Sequence, residues 1–283
     1  MIRSDPIISR YIHIKVQGIE YRVFYEESGK GIPIICQHAG GGDGTGWRHL
    51  LNDPELTSKF RIIVADLPYH GKSLPPESIE WWKQEYLLTK NFFMDFQIAL
   101  SHALELERPV YMGCFVAGFL AMDLALEHPD EFRAVIAVGA AHHGGPATQN
   151  TFYHPSVSNH YRMCNTMYFC GPASTEKYRR AAAWCSMQSP APVTRGDLNY
   201  YFTDHDLTDK THIIDTKRCA VHLLTGEYDP TSSVEDTQML ADQIKGATFS
   251  SMKGLSHGGM AENPEIFKSY LMPILDKIAS IGC

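Results

Sequence analysis

A chain of 283 residues that is 44% hydrophobic and 20% charged is long enough for a sizeable core and suits one large α/β domain, with or without an inserted lid. Its net charge of −7, with no Lys/Arg cluster longer than Arg179-Arg180, argues against a phosphate-tracking surface and so against nucleic acid as a partner. No window reaches about 18 apolar residues and the start lacks a signal-peptide core, so no membrane span is expected and the cytoplasm is the expected location. Seven cysteines without a CxxC pair read as reduced thiols, not as a disulfide or zinc framework.

In chain order, residues 10 to 29 alternate across Gln17-Gly18 as a β-hairpin does. IPIICQ is a short buried-type strand that runs into glycines, and FRIIVAD is a second one ending at Asp66. An apolar stripe predicts a helix over residues 86 to 106. RPVYMG is a strand, and VAGFLAMDLALEHPDEF is a helix stopped near Pro129. Three further strands are expected in FRAVIAVGAA, CAVHLLTGEYD and ATFSSMKGLSH. Strands alternating with helices imply a mostly parallel, doubly wound sheet. Residues 141 to 216 break that rhythm and read as an inserted helical cap, with a helix near 174 to 188, between core segments 1 to 140 and 217 to 283.

The stretch Met112-Gly113-Cys114-Phe115-Val116-Ala117-Gly118 sits where a strand turns into a helix. It resembles the nucleophile elbow of the α/β-hydrolase superfamily, G-x-Nuc-x-G, with Gly113, Ala117 and Gly118 at the small positions. His38-Ala39-Gly40-Gly41-Gly42 is similar to that family's HG-type loop, and DLPYHGKS to its D-x-P-G-H-G-x-S segment, with Tyr69 where glycine is common. LLTGEYDP places Asp229 at the acid position and GLSHGGMAENPEIF places His257 at the base position, in the order this fold uses. The resemblance implies an α/β-hydrolase fold over nearly the whole chain. It puts Phe115 where serine, cysteine or aspartate is expected.

A phenyl ring cannot attack, so a covalent acyl-enzyme at residue 115 is excluded. The remaining parts keep a purpose: Asp229 would orient His257 as general base, while backbone N–H groups at Gly40 and Val116 would stabilise an oxyanion. That set suits a lyase, an isomerase or a hydrolase that delivers water directly, acting without a cofactor on a small apolar or aromatic carbonyl, ester or lactone. Two other readings stay open: an inactive relative that binds a small molecule, or a conventional hydrolase using Cys114, although that register would force Val116 into the tight strand–helix contact. His38, Cys114, His142 and His143 are expected around the pocket. Trp81, Trp82, Tyr153, Tyr161, Met163, Met167, Tyr168, Phe169 and Trp184 are mostly core, with several expected to line an apolar pocket. A metal site from His142, His143, His154 or His160 has no recognised ligand spacing and is not expected; a homodimer is left open.

Overall fold

The computed structural model describes residues 4–145, 160–188 and 190–281. Eight strands form one sheet: β1 (Ile8–Val16), β2 (Ile19–Gly29), β3 (Ile32–Gln37), β4 (Phe60–Ala65), β5 (Val110–Cys114), β6 (Ala134–Val138), β7 (Ala220–Gly226) and β8 (Thr248–Met252). Their order is β1-β2-β4-β3-β5-β6-β7-β8. β1 and β2 join antiparallel, and so do β2 and β4; every later pairing is parallel. The hairpin turn uses Gln17 and Gly18, both at positive φ (49° and 85°), which matches the twist of the two strands.

The sequence explains why the middle of the sheet is parallel. β3, β4, β5 and β6 are near-continuous apolar runs, which bury both faces of a sheet between helical layers. One layer includes α1 (Lys90–Ala103) and α2 (Val116–Glu127), and their side chains share a core with Ile35, Ile63 and Tyr111. On the other face Trp47, Leu51, Phe60 and Phe267 pack with Cys36, Met112 and Ile136. α2 is apolar all round, as a fully enclosed helix should be. Its buried charge, Asp123, accepts hydrogen bonds from Tyr200 Oη at 2.6 Å and His205 Nδ1 at 2.9 Å, and Glu127 at its end pairs with Lys90.

α1 begins four residues later than the periodicity predicts, at a Thr89 cap whose side chain accepts from the Phe92 amide. Residues just before it are pulled away from helix by the segment between β6 and β7: the Leu88 amide donates to Gly196 O (3.0 Å), and Asn199 Nδ2 donates to Leu88 O (3.1 Å). That segment carries α3 (His160–Tyr168), α4 (Glu176–Ser186) and α5 (Ala191–Asn199), and the helix expected over 174 to 188 is α4. α6 (Val234–Gln243) follows β7 and α7 (Pro264–Ile281) follows β8. No helix among the described residues is long and apolar enough to cross a membrane.

Candidate active site

Several chain segments converge at the carboxyl edge of the parallel strands, where β5 passes into α2. Phe115 is the single residue between them and adopts φ 56°, ψ −123°, a conformation that costs a non-glycine residue about 1 to 3 kcal/mol. The turn is tight because strand and helix nearly touch. A Cβ on Gly113 would stand 2.2 Å from Ala117 O, and one on Gly118 would stand 2.4 Å from Gly139 O. These contacts fix the register, with Phe115 at the tip and Cys114 beneath it. The Phe115 ring lies edge-on to His257, with centroids 4.7 Å apart, and against Tyr201 at 5.0 Å.

His257 follows β8 and Asp229 follows β7. The imidazole Nδ1 lies 3.1 and 3.2 Å from the two carboxylate oxygens of Asp229 and 2.9 Å from Thr231 Oγ1. Asp229 Oδ1 also accepts from the Thr231 amide and hydroxyl, each at 2.8 Å. Burial opposes charge on both partners, yet their mutual attraction prevails: Asp229 is held below the usual carboxylate value and His257 above the usual imidazole value. With Nδ1 committed to Asp229 and Thr231, Nε2 is the nitrogen left for chemistry.

Sequence reasoning missed Glu262, which is buried beside this pair. Its carboxylate accepts from the amides of Gly171, Ser256 and Gly258, and from Ser174 Oγ, so it ties the His257 loop to the segment between α3 and α4. Its negative charge also favours the His257 imidazolium. The only signal available in the sequence is a carboxylate five residues after a histidine, which is too weak to use.

A half-open cavity of about 220 Å³ joins these groups. Phe115, Cys114, His257, His38, Gly40 and Glu262 are among its lining residues. Gly40 packs directly on Val116, whose two methyl carbons lie 3.3 and 3.4 Å from where a Gly40 Cβ would stand. The residues expected to donate from their backbones therefore touch through the Val116 side chain, and Val116 opens α2, where the first amides have no partner within the helix, although Val116 is not among the residues lining the cavity. His38 is fully engaged: Nδ1 donates to Ala39 O at 2.9 Å, while Nε2 accepts from the Leu67 amide at 3.1 Å. Burial, with help from neighbouring His70, pushes its pKa down to about 4, so it braces the loop as a neutral ring.

Cys114 is 1% exposed, its thiol donates to His257 O at 3.4 Å, and burial with Asp229 and Glu262 nearby raises its pKa well above that of a free thiol. A thiolate there is strongly disfavoured.

His142 and His143 are not among the residues lining the cavity. His142 Nε2 meets Gln243 Oε1 at 2.9 Å, and the exposed His143 bonds its neighbour's carbonyl at Gly144. Of the expected aromatic lining, Phe169 reaches the cavity, with its ring 6.0 Å from His257. Tyr168, Trp82 and Trp184 are instead largely exposed and Trp81 partly so. α4 buries Ala182 and Ala183 inward, which turns Trp184 to solvent. Tyr153 and His154 lie outside the described residues. Among the described residues, no three of His, Cys, Asp and Glu gather as a metal site would require.

A family model described as "alpha/beta hydrolase fold" matches residues 32–179, more than half of the chain. The chain belongs to the α/β-hydrolase family. A 2-hydroxymuconate semialdehyde hydrolase from Pseudomonas sp. (strain CF600) is 27% identical over 172 residues, 59% of this chain and 57% of the relative. The chain thus matches less than two thirds of the length of that curated relative. Among solved structures, a thermophilic esterase from Thermogutta terrifontis superposes with a TM-score of 0.81 at 18% identity, covering 95% of this chain and 99% of the esterase. An enol-lactonase from Burkholderia xenovorans LB400 gives 0.78 at 17% identity, covering 94% and 100%. At these identities the structural likeness speaks for the α/β-hydrolase fold alone.

Proposed function

We propose that this chain is a hydrolase that adds water directly to the carbonyl of a small apolar ester, lactone or ketone, without an enzyme-bound intermediate. The observation that carries this reading is the pairing of an intact Asp229–His257 dyad with a phenyl ring, Phe115, at the tip of the elbow. In this scheme neutral His257 takes a proton from water through Nε2 while Asp229 stabilises the resulting imidazolium. Hydroxide adds to the carbonyl carbon, and the oxyanion so formed sits against the amides of Gly40 and Val116. His257 then returns the proton to the leaving group, and the carbonyl re-forms as the bond to that group breaks. Within the cap expected over 141 to 216, the segment carrying α3, α4 and α5 serves as the cover of the cavity, lining it through Phe169, Ala182 and Leu198. The relative named as a semialdehyde hydrolase supports a carbonyl substrate, and Phe169, Phe115 and Leu198 supply the apolar lining.

The pH profile tests this role. Only neutral His257 can accept a proton, and Asp229 raises its pKa above the ordinary value of 6.5. Turnover of an aryl lactone such as dihydrocoumarin should therefore be low in acid, rise as pH passes through that raised pKa, and level off on the alkaline side. Turnover that is flat across this range would remove His257 as the base. Binding without any turnover would make the protein a small-molecule carrier.

A further inference from the structure

Asp197 lies on α5, within the segment between β6 and β7, and its carboxylate is completely buried. Its Oδ2 accepts from the Gly41 amide at 2.6 Å and lies 2.9 Å from His70 Nε2, while its Oδ1 accepts from Tyr86 Oη at 2.9 Å. The other nitrogen of His70, Nδ1, faces Pro68 O at 3.0 Å. A carbonyl and a carboxylate only accept, so both ring nitrogens carry protons and His70 is an imidazolium. Burial alone would neutralise it, and Asp197 outweighs that effect. The Asp197 side chain also touches the loop, since a Cβ on Gly40 would stand 3.4 Å from the Asp197 Cβ.

We propose that Asp197, carried in by α5, is the positioning residue of the glycine loop: its Oδ2 fixes the Gly41 amide, and with it the orientation of the backbone donors that face the substrate carbonyl. The inference rests on reading the cavity as an active site. It makes docking of the α5 segment a condition for assembling the oxyanion site, because this acceptor for the Gly41 amide comes from that segment, while His38 braces the base of the loop from the sheet side. Gly41 has φ 64°, so the loop needs a conformation that few residues adopt, and a charged acceptor holds it there.

The test compares Asp197→Asn with Asp123→Asn in the full chain. Asp123 anchors the same segment through Tyr200 and His205 but does not touch the loop. Both variants should melt earlier. Only Asp197→Asn should lower kcat for dihydrocoumarin, about tenfold to a hundredfold, because a small misplacement of catalytic groups is that costly. Its KM should move less than about threefold, as expected for an interaction realised in the transition state. In proton–nitrogen NMR spectra the wild-type Gly41 amide should lie far downfield and exchange slowly, and it should move upfield in Asp197→Asn alone. An unchanged kcat in a folded Asp197→Asn protein whose Gly41 signal has moved would overturn the proposal. If that variant does not fold, an exposed, fast-exchanging Gly41 amide in the wild type overturns it equally. Failure of the wild type to turn over any lactone removes the enzymatic reading instead, and the Gly41 signal then decides whether Asp197 holds the loop.

Discussion

His257→Ala should lower turnover by about a hundredfold to ten-thousandfold, the contribution of a well-placed general base, while leaving ligand affinity largely intact. The imidazole borders the cavity, and the buried Asp229 carboxylate raises its proton affinity above the ordinary value. Without it, water must attack unaided, and in the proposed scheme only the backbone donors at Gly40 and Val116 would still assist. The variant should still fold. Asp229 keeps donors from the Thr231 amide, the Thr231 hydroxyl and the Ser232 amide, so its charge is not abandoned in the interior. Thermal unfolding is the control. Unchanged turnover in a folded His257→Ala protein would take the residue out of the mechanism.

Phe115→Ala should have the next largest effect. The ring packs on His257 and Tyr201 but also borders the cavity, so its removal should cost about 3 kcal/mol, the low end for a buried phenylalanine. Native turnover should fall as well, because the ring confines both the imidazole and the substrate. Phe115→Ser has a different outcome: it restores a hydroxyl at the tip of the elbow, beside His257 and the backbone donors. Weak hydrolysis of activated esters through an acylated serine should then appear. Undiminished native turnover at unchanged stability in Phe115→Ala would show that the ring has no part in binding or catalysis.

The strands were legible in the sequence because parallel strands buried on both faces are short apolar runs ended by turn residues, and IPIICQ, VYMGC and AVIAV follow that rule. The tight strand-to-helix turn was legible because its packing leaves no room for a Cβ at 113 or 118, where the sequence has glycine. Tyr69 shows the limit of such reasoning. It stands where glycine is common and takes φ 73° regardless, its ring tilted against that of Tyr86 with centroids 4.6 Å apart.

Asp197, His70, Tyr86 and Glu262 were not legible as a group. Their partners lie as far as 156 residues away in the chain, as Gly41 and Asp197 do, and no spacing encodes such a meeting. His142 and His143 misled for the opposite reason. They follow β6 at the edge where catalytic loops gather, but the chain there turns toward Gln243 and a bridge with Asp206, away from the cavity. The exposed Trp184 illustrates that aromatic content within a helical segment does not say which face the helix will bury.

In the proposed scheme the reaction passes through no covalent enzyme intermediate. The most direct measurement is intact-protein mass spectrometry on samples quenched in acid while dihydrocoumarin is being turned over. The wild type should keep its unmodified mass at every time point, whereas Phe115→Ser should show an acyl adduct. An adduct of the whole lactone on the wild-type chain, at Cys114 or any other residue, would contradict that scheme.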